Sequence, residues 1–146
     1  MYEFLAWQVG DVMSAPVVSI APDATLADAE ALFDEHDFDA LPVLAADGTL
    51  AGVVAKLDVL RAYQFSPETI VPPYDEIRRR PVTTVMTLQP LVVAPDTPLT
   101  RVLETLVATR VKSLPVVAHG RVVGMVARED VLRALRRAAA GERPPR

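Results

Sequence analysis

The 146-residue chain contains no cysteine, which excludes disulfides and thiolate metal sites. Aromatic residues make up only 5% against 51% apolar overall, so the interior must be built from Val, Leu and Ala. No apolar run reaches the ~18 residues a membrane helix needs, so no membrane partner is expected. The opening MYEFLAWQVGDVM lacks the basic stretch of a signal peptide, which points to a cytoplasmic protein. Basic side chains are dispersed, without aromatics interleaved as stacking platforms, so nucleic acid is not the expected partner. There is no phosphate loop, and no histidine stands at a plausible catalytic spacing from a carboxylate. These absences argue against an enzyme and against a required cofactor or bound metal.

What the chain does have is one stretch written twice. LPVLAADGTLAGVVAKLDVLRA runs from Leu41 to Ala62, and LPVVAHGRVVGMVAREDVLRA from Leu114 to Ala134. The two differ in length by one residue, inserted in the first copy. Repeats set architecture, and two copies point to a pseudo-symmetric pair rather than a solenoid. Charge is divided unevenly between the halves. Residues 1–70 hold 12 acidic and 2 basic side chains, and residues 71–146 hold 7 and 13, within a total of −4. The first half should repel phosphate and the second attract it.

Read in order, residues 1–10 concentrate aromatics in Tyr2, Phe4 and Trp7, as a segment docking on the body or on a second subunit would. Val17–Ile20 is a short β-rich run between Pro16 and Pro22. Thr25 offers an N-cap with Asp28 three residues on, and apolar residues from Leu26 to Phe33 follow at helical spacing. His36 falls at the end of this helix, partly buried. Ala40–Leu44 and Leu50–Ala55 read as strands joined by the hairpin turn Asp47-Gly48. Gly52 interrupts the second strand, which suggests close approach of another backbone or a ligand. A helix runs from Lys56 to about Tyr63. Residues 64–82 are a proline-rich connector, with one helical turn expected at Asp75–Arg79.

The second unit repeats this order. Val85-Met86 matches Val12-Met13, and Leu91–Ala94 is its first strand. Thr97 is the expected N-cap with Pro98 at the first helical position. Leu99, Val102, Leu103, Leu106 and Val107 form a stripe. Strands at Ser113–Ala118 and Arg121–Ala127 flank an exposed His119-Gly120 turn, and a last helix spans about Arg128–Ala140. The fold class is therefore α+β, with two β-α-β-β-α repeats packed as a pseudo-two-fold pair. The expected division is a docking segment over 1–10, repeat 1 over 11–63, a linker over 64–82, repeat 2 over 83–137 and a flexible tail over 138–146.

Two such repeats, each with an apolar-Pro-Val strand and a Gly-apolar-x-x-x-x-Asp strand-to-helix junction, resemble a tandem pair of CBS domains, the cystathionine β-synthase type. The resemblance covers about residues 10–63 and 82–137. It implies a non-catalytic regulatory module that senses AMP, ADP, ATP or S-adenosylmethionine in clefts between the repeats. It also implies a homodimer, which the charge asymmetry would arrange head to tail, and a separate effector protein. The junctions read Gly52-Val53-Val54-Ala55-Lys56-Leu57-Asp58 and Gly124-Met125-Val126-Ala127-Arg128-Glu129-Asp130. By the resemblance, Asp58 and Asp130 would accept hydrogen bonds from ribose hydroxyls, since an ionised carboxylate is a pure acceptor. Val18 and Leu91 would border the adenine, with Val43 and Val116 nearby. Arg128, Lys112 and Ser113 complete the second set, and Lys56 the first. Phosphate should favour the Asp130 site, because Asp37 and Asp39 stand where Arg110 and Lys112 stand in the second copy. Both copies depart from the family in having Ala55 and Ala127 where it has Thr or Ser. That departure supports the alternative of a ligand-free dimerisation module. For the two aspartates, helix capping is the purely structural alternative.

Overall fold

The computed structural model describes residues 2–64, 68 and 73–146, with the backbone alone for Tyr2. Part of the expected connector, including Pro67 and Pro72, lies outside the described residues. The chain forms two compact units. One is Val18–Pro90, with 12 acidic and 5 basic side chains, net −7; it is called the acidic unit below. The other joins Met1–Val17 to Leu91–Arg146, with 7 acidic and 10 basic side chains, net +3; it is the basic unit.

In the acidic unit, Thr25 and Asp28 form the expected reciprocal cap. The Thr25 N–H donates to Asp28 Oδ2 at 2.9 Å, and the Asp28 N–H to Thr25 Oγ1 at 3.2 Å. They start helix α1 (Leu26–Glu35), which ends at His36. Strands β1 (Ala40–Leu44) and β2 (Leu50–Ala55) form an antiparallel hairpin, and helix α2 (Lys56–Ala62) follows β2 without a loop. Helix α3 (Tyr74–Arg78) is the turn expected near Asp75. The core gathers Leu26, Leu41, Val43, Val54 and Val82, each fully buried. Truncating one such leucine to alanine costs about 2–5 kcal/mol.

The basic unit repeats the plan with helix α4 (Leu99–Thr109), hairpin β3 (Ser113–Ala118) and β4 (Arg121–Ala127), and helix α5 (Arg128–Ala139). The aromatic N-terminal segment docks on this unit's own body. Trp7 is fully buried and Phe4 nearly so among Leu99, Val102 and Ala138, and the Arg137 guanidinium lies 4.9 Å from the Trp7 ring centroid. Trp7 also supplies a cap, because its carbonyl accepts the Leu99 N–H at 3.0 Å. Thr97 is therefore not the helix cap that its side chain suggests. Pro98 holds that place, and the Thr97 hydroxyl accepts the Ala94 N–H at 2.9 Å instead.

The expected first strands at 17–20 and 91–94 shrink to single parallel bridges, Ile20 to Val43 and Val93 to Val116. Prolines on both flanks withhold the donors a longer ladder would need.

The compact units do not coincide with the sequence repeats. Residues 11–14, which open repeat 1, pack in the basic unit; residues 83–87, which open repeat 2, pack in the acidic one. Thr87 exchanges hydrogen bonds with Val53 at 2.8 and 3.1 Å, and Ser14 with Met125 at 2.8 and 3.2 Å. This explains the interrupting glycines. A Cβ on Gly52 would lie 2.7 Å from the Thr87 carbonyl oxygen and 2.8 Å from Met86 Sδ. On Gly124 it would lie 2.8 Å from the Ser14 oxygen and 2.9 Å from Met13 Sδ. The duplicated Val-Met pair is thus the piece that each hairpin receives. The chain beyond α5 also makes contacts. Arg137 pairs with Glu142 at 2.6 Å, and Arg146 grips Asp11 through both carboxylate oxygens at 2.8 and 3.0 Å and donates to the Ala6 carbonyl.

Candidate functional site

Each hairpin ends where its helix begins, and the candidate residues collect there. Ala55 and Ala127 sit at the N-caps with no side-chain oxygen to offer. The acceptor comes instead from the third helical residue. Asp58 Oδ2 accepts the Ala55 N–H at 2.8 Å, and Asp130 Oδ2 accepts the Ala127 N–H at 2.8 Å. The other oxygen of each faces an arginine one turn on, Arg61 at 3.8 Å and Arg133 at 3.3 Å. The capping role of both aspartates is therefore real. It leaves room for more, since an ionised carboxylate has about four lone-pair sites and these contacts use two.

In the basic unit the structure brings Asp130, Ala127, Arg128, Lys112 and Ser113 to one end of the β3–β4 hairpin. Ser113 pairs directly with Ala127 across the ladder. Directly opposed residues of an antiparallel pair present their side chains on one face. The Ser113 hydroxyl thus stands on the same face as the Ala127 methyl. Ser113 is 7% exposed, and its Oγ has no hydrogen-bond partner in the protein. A buried hydroxyl left so costs about 1–3 kcal/mol. Asp130 is also 7% exposed. Burial pushes its carboxyl above the ordinary carboxylate range, opposed by the Ala127 N–H and by Arg133.

Arg128 is anchored within the unit. Its guanidinium donates to the Arg110 carbonyl at 2.8 Å and the Val111 carbonyl at 3.4 Å, carbonyls that follow the end of α4. Its backbone N–H donates to the Lys112 carbonyl at 3.1 Å. Lys112 itself is exposed, as is Leu91 at 52%.

In the acidic unit the matching set is Asp58, Ala55 and Lys56, with Val18 partly buried against the core. Lys56 Nζ lies 5.9 Å from the Phe33 ring centroid, and its backbone N–H donates to the Asp39 carbonyl at 3.1 Å. The residue opposite Ala55 is Ala40, so this junction has no hydroxyl on either strand. His36 stacks on Phe38 at 5.1 Å, with 33% of its side chain exposed. Among the described residues no cluster of histidines and carboxylates could hold a metal ion, and no helix is long and apolar enough to cross a membrane.

Sequence reading gave Arg61 and Arg133 no role. The signal was present in the duplicated Asp-Val-Leu-Arg, whose i, i+3 spacing puts the arginine over the carboxylate.

Comparisons with known proteins bear on the family and the fold. The family model for the CBS domain matches twice, at residues 9–64 and 82–137. A CBS domain-containing protein of Dictyostelium discoideum is 30% identical over 85% of this chain and 88% of its own length. The A-adding tRNA nucleotidyltransferase of Geobacter sulfurreducens is 28% identical over 84% of this chain, which spans only 13% of that enzyme. Among solved structures, CBSX2 in complex with AMP superposes with a TM-score of 0.78 at 30% identity, covering 91% of this chain and 98% of that one.

Proposed function

From the premise that the chain belongs to the CBS domain family, we propose that it is a non-catalytic regulatory module whose basic unit binds an adenosine-type ligand. Asp130 accepts the ribose hydroxyls, and Ser113 supplies the hydroxyl that the motif lacks at Ala127. The observation that carries this reading is the unpartnered, buried Ser113 Oγ on the same face as Ala127, the residue whose N–H Asp130 holds. A ligand at that place would complete a hydrogen bond that the protein leaves unmade, and such completion favours binding. The bound AMP of the CBSX2 structure supports the ligand class.

The phosphate end of the ligand is read by exposed cations rather than by Arg128, whose guanidinium already holds two carbonyls. AMP, ADP and ATP therefore differ little in what the junction itself recognises. S-adenosylmethionine shares the same nucleoside and is tested beside them.

The acidic unit favours the second reading, of a structural repeat. Ala40 and Ala55 give its junction no hydroxyl, although Asp58 makes the same two kinds of contact as Asp130. One ligand per chain is therefore expected. A ligand at ~100 times its Kd should stabilise the fold by about 2.7 kcal/mol. Thermal unfolding with AMP, ATP and S-adenosylmethionine, followed by calorimetric titration of the best, tests this. A stoichiometry of one that Ser113→Ala weakens supports the proposal. No shift with any adenosine compound leaves the ligand-free module.

A further inference from the structure

Helix α5 ends on a residue that turns the chain back. Gly141 has φ +85°, a left-handed conformation that glycine adopts without a Cβ clash. Its N–H donates to the Ala138 carbonyl at 2.9 Å, and the Glu142 N–H donates to the Arg137 carbonyl at 3.0 Å. This pairing is a Schellman cap, which satisfies carbonyls left free at the helix end. Beyond it stands Arg143-Pro144-Pro145-Arg146. Proline fixes its own φ and keeps its predecessor out of the helical region, so this stretch stays extended. At about three residues per polyproline turn, the two arginines fall on one side. Both act on the aromatic N-terminal segment. The Arg146 guanidinium spans both Asp11 oxygens and the Ala6 carbonyl, and only 3% of the Asp11 side chain stays exposed. Glu3, held below the ordinary carboxylate range first by a backbone hydrogen bond, also feels the Arg143 charge. Arg137 joins the two ends of the chain, since its guanidinium lies over Trp7 and donates to Glu142 at 2.6 Å.

We infer that residues 142–146 are a releasable clasp on the N-terminal segment, closed by ion pairs and opened by competing ions. The segment it holds does more than bury Phe4 and Trp7. It supplies the Trp7 carbonyl that takes the Leu99 N–H of α4, and it runs on into Met13 and Ser14, which lie against Gly124. An opened clasp therefore loosens both the start of α4 and the piece that β4 receives. The buried aromatic anchors remain, so the response is more frequent local opening, with the fold kept. Ion pairs at the surface are screened by salt, which makes ionic competition the input of the device. The clasp uses none of the hydrogen bonds at the Asp130 junction, so it stands or falls independently of ligand.

The experiment is amide hydrogen exchange, read by mass spectrometry, on the full chain and on Arg146→Ala, Asp11→Asn and the double variant. Asparagine keeps an oxygen for the Gln8 N–H and drops the charge. Arg146→Ala should speed exchange over residues 4–13 about threefold, the size expected of a surface ion pair. Residues 50–62 of the acidic unit should exchange as before. In the Asp11→Asn background the same substitution should add little, because the two residues act as one contact. Raising NaCl from about 50 mM to about 1 M should speed the wild type over residues 4–13 to a similar degree and leave the double variant nearly unchanged. Unchanged exchange over 4–13 in Arg146→Ala would overturn the inference. Equal acceleration over 50–62, or full additivity of the two substitutions, would overturn it as well.

Discussion

The two units share one scaffold and differ at most of their matched positions, a few of which bear on function. Where α4 carries Leu103 and Val107 and ends at Arg110, the corresponding residues of the acidic unit are Glu30, Asp34 and Asp37. Where β3 opens with Ser113 after Lys112, β1 opens with Ala40 after Asp39. What is common to both is the glycine under a methionine, the aspartate holding the N-cap N–H, and the arginine one turn beyond it. The shared features are those that close the hairpin on its helix and on its received segment. The differing ones lie on the helix faces and at the junction. Duplication kept the parts that close each hairpin and changed the helix faces and the junction.

The sharpest way to break this equivalence is at the glycines. Gly52→Ala and Gly124→Ala both drive a methyl into a backbone carbonyl oxygen, at 2.7 and 2.8 Å. A carbonyl fixed in a bridge cannot turn aside as a side chain can. Each substitution should cost about 2–3 kcal/mol by overpacking. The two costs, read from urea unfolding, should agree within about 1 kcal/mol. A free-energy loss at one glycine only would mean that the scaffolds are not equivalent.

The aspartates should then separate the units. Asp58→Ala and Asp130→Ala each remove a backbone cap, at a cost of about 1 kcal/mol. For AMP, only Asp130→Ala should matter, weakening binding by about tenfold to a hundredfold, as expected for hydrogen bonds to a charged group. Calorimetry on both variants checks this. Equal losses at both positions would place ligand in both units and refute the proposed division.

Much of this was legible beforehand because it is local. The hairpins at 40–55 and 113–127 follow from β-rich runs around turn residues, and α1 from Thr25 and Asp28 at capping spacing. What was not legible depends on partners far along the chain. Thr97 has the chemistry of a cap, yet the carbonyl of Trp7 takes the first N–H of α4. Val12-Met13 and Val85-Met86 were visible as a repeat, but which hairpin each serves is a question of topology that no local pattern encodes. At the site, Asp58 and Asp130 could be named from their motif. A difference between them could be read from the charges nearby, but not the part that rests on the Ser113 hydroxyl, whose missing partner shows only once β3 is paired with β4.

Ser113 gives a smaller and cleaner test. Ser113→Ala removes a buried hydroxyl that has no partner, so stability should hold or rise slightly, while AMP affinity falls about threefold to tenfold. Ala40→Ser places a hydroxyl at the matching point of the acidic unit. One serine without the rest of the basic unit's surroundings should not create a second site, and a titration should still give one ligand per chain. Loss of stability in Ser113→Ala would mean that the hydroxyl already has a structural use.

The smallest expected effects come from two carboxylates of the basic unit that respond to acid in opposite directions. For Asp11, burial alone would raise the pKa, but hydrogen bonds from Arg146 and the Gln8 N–H outweigh it and leave the carboxyl below its ordinary range. Its contribution is present above the unfolded-state value and is lost as pH falls through the folded one. Arg146 is about half exposed, so solvent screening keeps the pair's contribution small. For Asp130, raised mainly by burial, the native state binds the proton more readily than the unfolded chain. Its term therefore declines as pH rises through the window above the ordinary carboxylate value. Ribose hydroxyls donating to Asp130 would favour the ionised form, so AMP affinity should rise with pH across that same window, and binding there should release a proton. Titration in two buffers of different ionisation enthalpy reads that release directly. A proton taken up instead would mean that Asp130 meets the ligand as a neutral acid, and would reverse the role assigned to it.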